Sequence, residues 1–379
     1  MLSADPQEAG RRAAGMARAS LGERHPPSFG ILFASPHFHD SAEALLAAVL
    51  EETGPVPLIG CVAETVIGGA REVESGPAVS LWLAGDAGPV ETFSMDFVRT
   101  ASGGAYGGYR FEPDRPGIHL MICDPFTFPV DHLLAHLNAS VPGTLVMGGL
   151  ASGGIGLRQS QLFLDGRVLS EGAVGAYLPR AEIHPLVSQG CRPIGDPFTV
   201  TAAEGNLIQE LGGRSPVERL QELAAALTDR DRDLLTQGLQ VGIVMNEYQA
   251  ELHQGDFLIR GVVGADPETG AIAVGDEVGV GQTLQFHIRD ADSADGDLQR
   301  TLGDEAAALA GHRPAGALLF TCNGRGSRLF PGPDHDAGLL AKVFGDIPVA
   351  GFFCAGELGP VGGQNYLHAF TASIALFPR

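Results

Sequence analysis

The sequence predicts an α/β protein of two related domains, built from repeated β-α-β-β units whose mixed sheets are covered by helices and can be layered as αββα. Three observations carry that prediction. Apolar runs of strand length, each opened by a proline, lead into helix-length stretches and then into a second strand. The plan returns at a similar period: 33 residues separate Pro27 from Gly60, 32 separate Pro116 from Gly148 and 37 separate Pro314 from Gly351. At 379 residues the chain also exceeds what one core usually holds, so two domains are expected.

Taken in order, residues 3–22 suit an amphipathic helix, within a leading segment 1–27. Pro27 to Ala34 reads as a strand, and Asp40 or Ser41 caps a helix over Ala42 to Thr53 that Gly54 closes. Val56 to Glu64 is a second strand and Ala78 to Ala84 a third. The glycine-rich stretch Ser102 to Tyr109 reads as a flexible connector, since a phosphate loop would end in Gly-Lys-Ser/Thr. Pro116 to Cys123, a helix near Val130 to Ala139, Thr144 to Gly154 with a tight glycine turn, and Ala173 to Leu178 repeat the pattern.

A domain cut near residue 200 gives domains 28–200 and 201–379, and Ser215-Pro216-Val217-Glu218 is a capping box with proline in the first helical turn. Gly238 to Gly264 reads as a degenerate fourth copy that lacks the helix. The third full copy runs from Ala315 to Phe320, through a helix at Ala337 to Phe344 and Pro348 to Glu357, to a closing strand at Leu367 to Phe377. Parallel strands joined through a helix, with a third strand returning antiparallel, make mixed sheets.

Composition excludes several classes. A net charge of −21 leaves no basic stripe for nucleic acid or an acidic membrane surface. No apolar run approaches the ~20 residues of a membrane span, and Met1 to Gly22 lacks the apolar core of a signal peptide, so a cytoplasmic location is expected. Lys342, the only lysine, lies on a helix-like stretch and makes a poor Schiff base. The five cysteines, 61, 123, 191, 322 and 354, show no Cys-x-x-Cys pair and read as reduced thiols, neither a disulfide framework nor a zinc site.

The chemistry concentrates in Phe320-Thr321-Cys322-Asn323-Gly324-Arg325-Gly326-Ser327-Arg328, where an apolar strand ends abruptly in small, thiol, amide and guanidinium groups. Arg325 and Arg328 offer forked donors to a carboxylate, or pair with some of the 45 acidic residues. Glu357, in the neighbouring turn, can receive an ammonium group or serve as the partner of Arg325. Asn323 bonds a ligand or its own turn, and Cys322 is a thiolate favoured by the arginines or a small buried hydrophobe. Arg260 and His287 lie in apolar strand-like runs and need partners there. His37, His39 and Asp40, like His335 and Asp336, cluster as metal ligands do, but loop and cap roles account for them, so no metal or cofactor is expected. Neither a Gly-x-Ser-x-Gly elbow nor His-Glu-x-x-His is present, which leaves Cys322 with His335 or His368 as the enzymatic alternative, a hydrolase or transferase.

The stretch from Leu58 through Glu64 and Arg71 to Val79 resembles the FIST N-terminal domain. Asp256 to Arg260, Gln285 to Asp290, Phe320 to Gly326 and Gly351 to Gly359 resemble the FIST C-terminal domain. This family is the sensory domain of bacterial signalling proteins and of a eukaryotic F-box protein, and the resemblance spans residues 28–360. It implies a sensor of amino-acid-like or carboxylate ligands, with Cys322, Asn323, Arg325, Arg328, Glu357, Arg260 and His287 as the candidate contacts. The sequence shows no kinase, chemoreceptor or F-box segment, so the expected output passes through a separate signalling protein. A protein-protein adaptor is the further alternative.

Overall fold

A computed structural model describes residues 4–22, 25–100, 103–113, 115–249 and 251–378. It is a mixed α/β structure in two compact units, Met1–Val187 with Arg300–Arg379, and Ser188–Gln299. The first unit is therefore discontinuous, where the sequence suggested one crossing near residue 200.

In the first unit the β-α-β-β plan occurs three times. Phe29–Ala34 runs parallel to Leu58–Val62 across the helix Ala42–Thr53 and antiparallel to Val79–Ala84. Ile118–Cys123 makes the same pairs with Leu145–Leu150 and Ala173–Leu178, and Gly316–Cys322 makes them with Val349–Cys354 and Thr371–Phe377. Central strands buried on both faces explain the unbroken apolar runs. Their alternation divides two cores. Phe29, Ile31 and Phe33, with Ile118, Leu120, Ile122, Leu318 and Phe320, face a common interior, whereas Leu32 and Ala34 face the helices.

A hairpin follows the second strand of each repeat, and it pairs with another repeat. Val66–Gly68 joins Val349–Cys354, Leu162–Leu164 joins Leu58–Val62, and Glu357–Val361 joins Leu145–Leu150. The exchange is cyclic, so each sheet reads borrowed hairpin, second strand, first strand, last strand. The same backbone bond closes all three junctions: Val62 donates to the Gln161 carbonyl at 2.9 Å, Leu150 to Gly356 at 2.8 Å and Phe353 to Thr65 at 3.1 Å. Gly60, Gly148 and Gly351 occupy one position in the repeat, where a Cβ would lie 1.8, 1.8 and 1.9 Å from the carbonyl oxygens of Leu32, Met121 and Leu319. That contact is why the second strand carries glycine there.

The helix Pro6–Leu21 is capped by Asp5, which accepts from the Glu8 N–H at 2.7 Å, and its Ala9, Ala13 and Ala14 pack beside Leu45 and Val49. The helix Ala42–Thr53 has no side-chain cap from Ser41, because a 3-10 turn, Pro36–Ser41, leads directly into it, and Asp40 instead bonds His39. Gly103–Gly107 is a strand antiparallel to Glu91–Thr100, not a connector; Ser102 lies outside the described residues. Likewise Gly148 and Gly149 lie within a strand and form no turn.

The second unit is a closed barrel of Cys191–Glu204, Leu207–Leu211, Ile272–Val274, Phe257–Ala265, Leu239–Val244 and Thr283–Arg289. Every neighbouring pair is antiparallel. This corrects the fourth copy expected at Gly238 to Gly264: without a crossover helix the chain returns antiparallel, so the second unit is not built from the repeat. Ile194, Val241, Phe286 and Ile288 fill the barrel, and Leu220 and Leu223 of the helix Pro216–Ala226 pack against them. Ser215 caps that helix by accepting from the Glu218 N–H at 3.3 Å, as its capping box predicts. Among the described residues, no helix is long and apolar enough to cross a membrane.

Candidate functional site

The strand Gly316–Cys322 delivers Cys322 to its tip, and the chain then turns through Asn323 and Gly324 into a short 3-10 turn, Gly326–Arg328. Arg325, the first guanidinium of the loop, folds inward and is 1% exposed. Its Nε and Nη2 make a two-pronged pair with Asp336, at 2.7 and 2.8 Å. Asp336 also receives Thr321 Oγ1 at 3.1 Å and lies 2.8 Å from His335 Nδ1. Burial opposes the Asp336 charge, but the Arg325 guanidinium and His335 hold its carboxyl below the usual range. Arg325 therefore spends its fork on the protein, and among the described residues its Nη1 has no hydrogen-bond partner.

Glu357 begins the hairpin strand Glu357–Val361 and is wholly buried. Its Oε2 accepts from the Thr371 N–H at 3.1 Å and hydroxyl at 2.7 Å, whereas Oε1 has no hydrogen bond to nitrogen or oxygen among the described residues. Burial pushes this acid up to about 8, against the pull of Thr371, Arg325 and the Cys322 thiol beside it, so it is mostly protonated at neutral pH. Burial, with the Glu357 carboxyl next, pushes the Cys322 thiol up to about 12, which favours the small buried hydrophobe of the two sequence readings over the thiolate. The histidines considered for a dyad are engaged elsewhere: His335 with Asp336 and the Phe330 ring, His368 with the Gly359 carbonyl at 3.0 Å.

The first repeat's exported hairpin supplies the other wall. Glu72 accepts from the Ala337 N–H at 2.9 Å, capping the helix His335–Phe344, while Asp334 is occupied by the Glu72 N–H and Arg71. Burial, then the nearby Asp336 charge, raises Glu72 to about 7, and its Oε2 has no hydrogen-bond partner among the described residues. At the rim Arg328, with its side chain 55% exposed, pairs with Glu64 and donates to the Asn323 carbonyl at 2.7 Å. Glu74 accepts from the Ser327 N–H at 2.9 Å. Ser152 of the second repeat accepts from the Glu64 N–H at 3.0 Å and donates to the Phe353 carbonyl, so all three repeats meet beside the site.

Five of the seven predicted residues, Cys322, Asn323, Arg325, Arg328 and Glu357, thus share one neighbourhood. Arg260 and His287 belong to the barrel unit. Register places Arg260 on the face of Val241 and Phe286, paired with Asp276 at 2.7 Å, while His287 lies on the other face. His287 bonds the Gln285 carbonyl at 3.0 Å and packs on Phe257, and burial lowers it to about 4. No group of His, Cys, Asp and Glu among the described residues could hold a metal ion, and His39 is bonded to Asp40 and the Gln159 carbonyl.

Sequence reasoning missed Asp336 as the Arg325 partner, and missed Glu72 altogether. A signal existed. Aligning the hairpins places Glu357 where the other repeats have Val66 and Leu162, and Glu72 where the second repeat has Val168. A carboxyl at a position that sister repeats fill with core hydrophobes is an exception the period exposes.

Three interleaved α/β repeats, a barrel unit and a buried acid–guanidinium–thiol cluster at the third repeat's strand tips define a two-part α/β protein. The chain belongs to the FIST family: it matches the FIST N domain over residues 28–214 and the FIST C domain over 217–360. FIST domains are a sensory family implicated in signal transduction. The chain is 50% identical over 374 residues to an uncharacterized protein of Mycobacterium bovis, covering 98% of this chain and 96% of that one. It is also 50% identical over 373 residues to an uncharacterized protein of Mycobacterium tuberculosis, covering 98% and 97%.

Proposed function

We propose that the chain is a small-molecule sensor in intracellular signal transduction, taking an amino-acid-like or small carboxylate ligand at the tips of the third repeat's strands. One observation carries this reading. Arg325 Nη1 and Glu357 Oε1 are a buried donor and a buried acceptor with no hydrogen bond to nitrogen or oxygen among the described residues, and both residues act electrostatically on the Cys322 thiol. Unmet buried polar atoms cost free energy, and a ligand that meets both recovers it. A ligand carboxylate suits the guanidinium nitrogen, and a ligand ammonium suits Glu357, whose charged form it would favour. Asn323 and Arg328 lie in the same loop, joined by the Arg328 bond to the Asn323 carbonyl. The cytoplasm is the location this reading assigns, with a separate signalling protein receiving the output.

The test is a thermal-shift screen of amino acids and small carboxylates at millimolar concentration. A ligand at about 100 times its Kd adds about 2.7 kcal/mol and raises Tm by a few degrees. The expected result is a hit that Glu357→Gln weakens while the protein stays folded. A library without a single shift would overturn the reading.

A further inference from the structure

The exported hairpin of the first repeat leaves a slot against its own last strand, a cavity of about 220 Å³ lined by Val66, Gly68, Val73, Ala78, Val79 and Ser80, with Arg71 also at its wall. The sister repeats show that this space is not a requirement of the fold. Register aligns Gly68 with Leu164 and Gly359, and Ser80 with Val174 and Ser373. The second repeat carries two bulky side chains at these positions. In the third, Ser373 closes on the Leu358 carbonyl at 3.0 Å. The first repeat has neither: glycine faces a serine whose hydroxyl makes no hydrogen bond among the described residues, 3.2 Å from where a Gly68 Cβ would stand.

We infer that this slot is a second ligand site, for a short aliphatic monocarboxylate. The apolar walls accept a hydrocarbon tail, in a volume larger than the ~150 Å³ cavity known to hold benzene. Arg71 supplies the head-group contact. Its Nε is tied to Asp334 at 2.9 Å, which orients the guanidinium, and its side chain is 75% exposed, so the Nη groups can reach a carboxylate. Arg71 and Glu72 both anchor to Asp334, which precedes the helix carrying Asp336, so occupancy is linked through one loop to the Arg325 pair. This site does not depend on the strand-tip reading.

Hexanoate is the probe, measured by calorimetry and ligand-observed NMR on the full chain. The inference expects binding that Gly68→Leu with Ser80→Val abolishes, since those changes copy the second repeat's filling. Arg71→Gln should weaken binding about tenfold, the loss of one charge-assisted contact, and Arg167→Gln, the matching arginine of the second repeat, should change nothing. Circular dichroism checks folding, and Ser80→Leu alone fills the slot if the double variant does not fold. No hexanoate binding at millimolar concentration, or binding that survives filling or is indifferent to Arg71→Gln, overturns the inference. Because the variants avoid Cys322, Arg325 and Glu357, hexanoate binding that they remove belongs to the slot, and the strand-tip site, read by Glu357→Gln, is judged separately.

Discussion

At the residue scale, Arg325 was the most legible position, read in the sequence as a carboxylate binder or as the partner of one of the chain's own acids. Two arginines in a glycine-rich loop pointed to an anion, and the nearest anion is the chain's own Asp336. With both side chains 1% exposed, removing one partner strands a buried charge, so Arg325→Ala should cost about 3–5 kcal/mol in urea unfolding and is a poor probe of ligand binding. Arg328→Ala, at an exposed pair with Glu64, should cost less than about 1 kcal/mol. The buried acids titrate in the opposite sense to Asp336. Glu357 and Glu72 hold protons up to about 8 and about 7, whereas the unfolded chain loses them near pH 4. Their contribution is whole below the unfolded value and is lost as pH rises through the folded ones. Urea midpoints at about pH 5 and about pH 9 should therefore fall more for the wild type than for Glu357→Gln; equal slopes would mean that Glu357 ionises normally.

At the element scale, strands and helices were readable because both faces of each central strand are buried and glycine closes the helix at Gly54. The opening proline and the recurring glycine fixed the repeat, and the structure gives that glycine its reason. Gly60→Ala, Gly148→Ala or Gly351→Ala drives a methyl into a neighbouring strand's carbonyl, so each should lower Tm sharply or prevent folding, as circular dichroism melts will read. Ser215→Ala removes only a cap in the barrel unit and should cost about 1 kcal/mol. What the chain order hid was the destination of the hairpins. Val66–Gly68 follows Leu58–Val62 in sequence but pairs with Val349–Cys354, a partner that local periodicity cannot name. The barrel was hidden for a related reason: Leu239–Val244 and Phe257–Ala265 have the apolar content of the repeat strands, and only the missing helix set them apart.

At the scale of the whole molecule, the interleaving makes the third repeat part of the first two. Chain beyond residue 300 supplies the strand that Val66–Gly68 pairs with and the hairpin that covers Leu145–Leu150. A fragment ending at residue 200 should lack a cooperative thermal transition, and one that melts like the full chain would show the repeats to be independent. The candidate site follows the same logic, since its buried atoms come from the third repeat's strand tips and the first repeat's hairpin. Its central claim is that Arg325 Nη1 and Glu357 Oε1 complete themselves on a ligand. Calorimetry of the best amino-acid hit near neutral pH, in buffers of different ionisation enthalpy, tests it most directly. Because Glu357 is protonated when free and an ammonium group favours its ionised form, binding should release about one proton, and affinity should rise with pH toward about 8. Glu357→Gln should abolish the release. Binding with no proton exchange, or with the same exchange in Glu357→Gln, would contradict the account.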